Sequence, residues 1–286
     1  MTLRLSLRLN NFLIVLLLVI RALQGWLSFI ISSKNWYLLE NLLKVSAFIV
    51  LVSLLIINRN NLQEYFIDKV AIIITLVFVP SQYIILPMLS SKDYQPWYGN
   101  LWFWVCAGGS AIAYCYLKPD FKNKNLPTKN STNRSLLIGL FTGIALNLVY
   151  GFIQSYIQGQ VNFPQIKLDN TILWSFPYQL GYSSAPEENL FRGFLLKRFT
   201  DFFPSQKIVP NICQAIFTLA VHGYIFSIKD NFLALLMVLN FGICMGYLTT
   251  HFRSISPGMI AHASYNAIGI FTIYIFQQVI KLPLLY

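Results

Sequence analysis

The chain has 286 residues, of which 56% are hydrophobic, 16% aromatic and only 11% charged, with a mean hydropathy of +0.58. Soluble domains carry about 25% charged residues, so this composition excludes a soluble globular domain, a disordered chain and a nucleic-acid-binding module, and describes a membrane protein. The 21 Lys and Arg against 10 Asp and Glu, a net charge of +11, then read as basic cytoplasmic loops rather than as the mark of an anionic partner.

A membrane-crossing helix takes about 20 mostly apolar residues. Windows of that kind lie, in chain order, near 11–31, 40–58, 70–90, 98–117, 135–156, 171–197, 208–227, 231–250 and 256–280. The expectation is an all-α polytopic transmembrane helix bundle of about nine spans. The first window follows Arg4 and Arg8 but is too long for a signal-peptide core and lacks a small-x-small cleavage site, so it reads as a retained span. Connectors carry the turn formers and charges, as in Asn58-Arg-Asn-Asn61 and in the Lys118-to-Arg134 loop with Pro119 and Pro127. That basic loop divides the chain into residues 1–134, with about four spans and the cytoplasmic loop itself, and residues 135–286, with the remaining spans. A cytoplasmic N-terminus puts thirteen of the 21 basic residues on the cytoplasmic side and six on the other, with Arg21 and Arg192 inside spans. The expected location is therefore an integral multi-pass position in a plasma or inner membrane. Cys106, Cys115, Cys213 and Cys244 all fall in apolar stretches without a Cys-x-x-Cys pair, so neither a disulfide framework nor a thiolate metal site follows.

Ionisable groups inside a membrane are costly and usually mark function. Eight of the ten acids lie in connectors or at span edges, and the other two are the adjacent pair Glu187 and Glu188. Residues i and i+4 share a helix face, which puts Glu188 over Arg192 in an orientation suited to an ion pair. Glu187 has Phe191 at its own i+4, points elsewhere, and is the acid free for chemistry. The plainer alternative for Glu187 is a structural ion pair, for instance with Arg21 of the first span. Two histidines, His222 and His262, are deep, and Asn266 follows His262 by four, so that both can aim at one point. Counting about 1.5 Å per residue from the cytoplasmic ends, these groups reach similar depths, and three helices can bring a carboxylate, two imidazoles and an amide to one polar pocket. Pro186, directly before the acid pair, removes a backbone bond and crowds the carbonyl of Tyr182, so the sixth span should be kinked or loosened there.

At these residues the chain resembles the CAAX-protease and bacteriocin-processing (CPBP, or Abi) family of glutamic intramembrane proteases, related to the type II CAAX prenyl endopeptidases. Its Glu-Glu-x-x-x-Arg motif stands here as Glu187-Glu-Asn-Leu-Phe-Arg192, and its His-x-x-x-Asn motif as His262-Ala-Ser-Tyr-Asn266. The intervening Phe-x-x-x-His motif is altered, since His222 is present but Thr218 occupies the Phe position and Phe217 lies one residue earlier. The resemblance covers roughly residues 171–280, a catalytic core within the second block. It implies that Glu187 is the general base, that His222 helps to bind and polarise the attacking water, that His262 and Asn266 stabilise the oxyanion, and that Glu188 and Arg192 are structural. The implied activity is that of an intramembrane endopeptidase acting on a membrane-anchored or lipidated peptide or protein within the lipid bilayer. No cofactor is expected; zinc is the chemical alternative, because one Glu and two His match a catalytic ligand set, although no His-Glu-x-x-His helix is present and Asn266 is a poor zinc ligand. A proton-coupled transporter, or a non-catalytic scaffold or immunity-type protein of the same fold, would use the same buried residues differently. The sequence specifies no oligomeric state.

Overall fold

The computed structural model describes residues 2–27, 33–89, 101–117, 129–158, 171–222 and 231–281. Among these residues the chain is all-helical, with no strand. In lipid this follows from the backbone, because only a helix satisfies every N–H and C=O within one open segment. The elements are α1 (Thr2–Leu27), α2 (Ser33–Ile57), α3 (Lys69–Leu89), α4 (Leu101–Leu117), α5 (Lys129–Gln158), a continuous helical run from 171 to 202, α9 (Val209–Val221), α10 (Asn231–Phe252) and α11 (Ser256–Lys281). The long run is built from α6 (Thr171–Gln179), a π-helical turn (Leu180–Ser184), α7 (Ala185–Glu188), a π-helical stretch (Asn189–Leu195) and α8 (Leu196–Phe202).

Each predicted window contains a helix, but length and composition distinguish them. Among the described residues four stretches are long and apolar enough to cross a membrane: Arg8–Leu27, Leu38–Ile57, Asn133–Ile153 and Phe232–Phe252. Lys69–Ile85, Leu101–Leu117 and Val209–Val221 are apolar but shorter. The seventh window differs from expectation, because α9 stops at Val221 and leaves His222 just beyond its end; residues 223–227 of that window lie outside the described residues.

Helix ends are set by recognisable chemistry. After α2 the chain turns through Asn58 to Asn61, and Phe66 takes a left-handed φ of 57°. Asp68 then caps α3, accepting the Ala71 N–H at 2.8 Å. The same carboxylate accepts the hydroxyls of Ser254 and Ser256, while the Ile255 N–H bonds to the Phe66 carbonyl at 2.9 Å. One acid thus pins the start of α3 to the start of α11.

On α1 the residues Leu9, Phe12, Val15, Val19, Leu23 and Trp26 are exposed at spacings of three and four, as a lipid-facing stripe requires, while Ile14, Leu17 and Ile20 are buried on the other face. The core they enter also takes in Leu51, Leu54 and Leu55 of α2, Leu190, Phe191 and Phe194 of the long run, and Met259 and Ala263 of α11. A second, smaller cluster lies around Phe241, Met245 and Ala261.

The most extensive packing joins α5 to α11. Gly139-Leu-Phe-Thr-Gly143 makes it possible, since apolar helices in lipid associate through close backbone approach at small residues. A Cβ at Gly139 would lie 2.9 Å from the carbonyl carbon of Pro257, and one at Gly143 would lie 2.8 Å from that of Ala261. Gly143→Leu is therefore expected to force α5 from α11 and cost at least about 1–3 kcal/mol, the usual range for overpacking. Thermal unfolding in detergent reads this, and an unchanged midpoint would sink the packing account.

Candidate active site

Pro186 sits between two π-helical segments. The turn before it bonds the Ala185 N–H to the carbonyl of Leu180, five residues back, so the run is widened where the proline ring disturbs an ordinary α ladder. The expected loosening is present as a π turn. Neighbouring helices fix the widened segment: Ser184 Oγ donates to the Met259 carbonyl on α11 at 2.6 Å, and Asn189 Nδ2 donates to Thr75 Oγ1 on α3 at 2.9 Å. At Gly181 a Cβ would strike the backbone of Phe78, with Val79 N at 3.1 Å. This glycine lets α3 lie directly against the turn that presents the acids.

Glu187 and Glu188 leave α7 in different directions, as their spacing of about 100° predicts. Glu188 and Arg192 are both 0% exposed and form an ion pair at 3.1 Å. Glu188 has a second partner that motif spacing does not reveal, because its Oε1 also accepts from His262 Nδ1 at 2.9 Å. That bond orients the ring, which packs edge-on against Phe241 at a centroid distance of 5.0 Å.

Glu187 is not left unpaired. Its Oε1 forms an ion pair with Arg21 Nη2 from the C-terminal third of α1, which corrects the expectation of a free acid. Its Oε2 is buried and accepts no hydrogen bond within the described residues. That oxygen faces two imidazoles, His222 Nε2 at 3.6 Å and His262 Nε2 at 4.0 Å. These separations exceed a direct hydrogen bond and suit a bridging water.

His222 is held by the end of its own helix. Its N–H bonds to the Leu219 carbonyl at 3.0 Å, and its Nδ1 lies 2.6 Å from the Thr218 carbonyl. A carbonyl only accepts, so Nδ1 carries the proton and Nε2 is turned toward Glu187. This contact uses the main chain of residue 218 and so does not depend on whether Thr or Phe stands there. Phe217 packs instead on Phe199, with ring centroids 5.5 Å apart. Asn266 departs from the expected shared aim with His262, because its Nδ2 donates to Ser183 Oγ at 3.0 Å and Gln179 Oε1 at 3.4 Å. The third histidine, His251, is exposed and stacks on Tyr247.

Glu187, His222, His262 and Asn266 all line one cavity of about 330 Å³, together with Arg21 and Gln24 of α1 and Glu40 and Lys44 of α2. The sequence gives Gln24, Glu40 and Lys44 no role and offers Arg21 only as the alternative ion-pair partner of Glu187. The available signal was Arg21, one of two basic residues inside predicted spans. Lys44 pairs with Glu40 at 2.7 Å and lies over the Tyr182 ring. As for a metal, no three of the His, Cys, Asp and Glu side chains among the described residues are grouped to hold an ion.

Among the described residues, helices thus enclose a carboxylate, two imidazoles and an amide in one cavity, the groups that a membrane-embedded hydrolase needs. Comparison makes this more particular: residues 169–268, about a third of the chain, match the family model described as Type II CAAX prenyl endopeptidase Rce1-like. The match spans all four predicted catalytic positions and ends within α11. No curated protein and no solved structure shows significant similarity to the chain.

Proposed function

We propose that this chain is a multi-pass intramembrane endopeptidase that hydrolyses a peptide bond of a membrane-anchored or lipidated substrate with a water activated by Glu187. The observation that supports this reading most directly is the orphaned Glu187 Oε2, facing two imidazole Nε2 atoms across gaps of 3.6 and 4.0 Å. The attacking water lies between these three atoms, giving one hydrogen to Oε2 and the other to His222 Nε2. As its oxygen bonds to the scissile carbonyl carbon, Oε2 takes the first proton. The tetrahedral oxyanion receives a hydrogen bond from Asn266, which turns an N–H away from Gln179, its longer partner, and one from His262 in its doubly protonated form, with Nδ1–H kept on Glu188 and Nε2–H turned to the oxyanion. Glu187 returns the proton to the leaving nitrogen as the C–N bond breaks, giving a free carboxylate and an amine. Glu188 and Arg192 are structural, and Glu188 also aligns His262. The chain sits in a plasma or inner membrane with about nine spans and a cytoplasmic N-terminus, with the bilayer and the substrate as its partners.

The direct test compares protein termini in membranes from cells expressing wild type or Glu187→Gln at matched levels. Termini found only with wild type identify the substrate and the cut site. If none differs, and purified protein cleaves no tested peptide, the reading gives way to a scaffold of the same fold, or to a transporter if flux is measured. The proposed reaction needs no metal. Prolonged chelation is thus expected to leave cleavage unchanged, and a loss of activity that zinc restores would replace the glutamate mechanism with a metal one.

A further inference from the structure

The ion pair between α1 and the acid motif joins residues 166 positions apart, and Arg21 lies outside the matched stretch 169–268. Resting on the glutamate reading above, we propose that Arg21 is a positioning residue that holds the Glu187 carboxylate in its working orientation, so that the first helix is part of the catalytic machinery. A carboxylate is planar, and with its carbon held by the backbone, anchoring one oxygen fixes the other. Arg21 Nη2 anchors Oε1, and Oε2 is thereby turned toward His222 and His262.

The arginine is itself anchored. Its Nη1 donates to Gln24 Oε1 at 2.7 Å, one turn along the same helix. Helix α1 is in turn registered against α9, since the indole Nε1 of Trp26 donates to the Ala220 carbonyl at 3.0 Å, two residues before His222. One helix thus sets both the carboxylate and, through α9, the imidazole beside it. The need for such an anchor comes from the acid's own setting. Glu187 stands on a single α-helical turn between two π-helical segments and projects into a cavity of about 330 Å³, where its side-chain torsions are otherwise free to turn Oε2 away. The other cation lining the cavity, Lys44, is engaged with Glu40 at 2.7 Å. Displacing a reacting group by about 1 Å costs on the order of 100-fold in rate, and that is the scale expected here.

The experiment measures kcat and KM for wild type, Arg21→Ala, Arg21→Lys, Gln24→Ala and Glu187→Gln, each first shown to be folded by thermal unfolding in detergent. Arg21→Ala is expected to lower kcat on the order of 100-fold with KM within about twofold. Methylguanidinium added at tens of millimolar should recover at least tenfold of that loss, because a free guanidinium can occupy the vacated site, and Arg21→Lys should lie between the two. Gln24→Ala keeps the ion pair and loosens only its support, so it should lose several-fold in kcat and provide the test if Arg21→Ala does not fold. Wild-type or faster turnover in Arg21→Ala would overturn the assignment and make the pair a brake. A raised KM at unchanged kcat would also overturn it, making Arg21 a substrate contact, as would a loss in folded protein that methylguanidinium does not relieve. In all of these outcomes Glu187→Gln remains inactive. A Glu187→Gln that cleaves like wild type instead removes the glutamate reading, and the role of Arg21 with it.

Discussion

Glu187→Gln is expected to lower kcat by about 10²–10⁴-fold, the usual contribution of a positioned general base, while the protein remains folded and still binds substrate. Gln matches Glu in shape, and its carbonyl oxygen can still accept from Arg21, so the side chain keeps its place. What changes is the second terminal atom. Oε2, which faces His222 and His262 at 3.6 and 4.0 Å, becomes an amide nitrogen that donates hydrogen bonds and takes no proton from water. The loss should therefore appear in kcat more than in KM. Cleavage within tenfold of wild type would remove Glu187 from the chemistry and leave its pair with Arg21 as a structural contact.

The second large effect concerns stability. Glu188 and Arg192 are wholly buried and paired at 3.1 Å, and removing one member leaves a buried charge without its ion-pair partner, at a cost of about 3–5 kcal/mol. Arg192→Met and Glu188→Leu should each lower the unfolding midpoint in detergent sharply. The double variant should recover much of the loss, because two apolar side chains of similar volume replace a buried ion pair at little net cost. Single variants with wild-type stability, or a double variant no better than the worse single, would contradict this. Glu188→Leu carries a second consequence, since it also removes the acceptor that orients His262 Nδ1. Its residual activity should fall below that of Arg192→Met when both are compared at a temperature where each is folded.

Several features of the fold were legible without the structure because they are local. A run of apolar residues specifies a helix wherever water is absent, and each predicted window contains one. The Glu188–Arg192 pair follows from i, i+4 spacing on a single helix, and the π-helical turn before Pro186 follows from a missing N–H and a crowded carbonyl. His222 reaches the expected cavity, but from the end of its helix rather than from within a span. Hydropathy continues beyond Val221, but α9 ends there, and the histidine gains its orientation from the terminal turn rather than from a helix face.

Charge and hydropathy along the chain were thus enough to specify a helical membrane protein and to single out Glu187, Glu188, Arg192, His222, His262 and Asn266, because the cost of burying polar groups makes them stand out against an apolar background. Which of these groups face one another was decided by helix packing. Glu188 reaches across to His262, Asn266 turns to Ser183, and Arg21 reaches Glu187 over 166 positions of sequence. Those pairings depend on the rotation and depth at which separate helices settle, set by close approaches such as Gly143 against Ala261 and Gly181 against Phe78, and spacing within one helix carries no information about the face its neighbour will present.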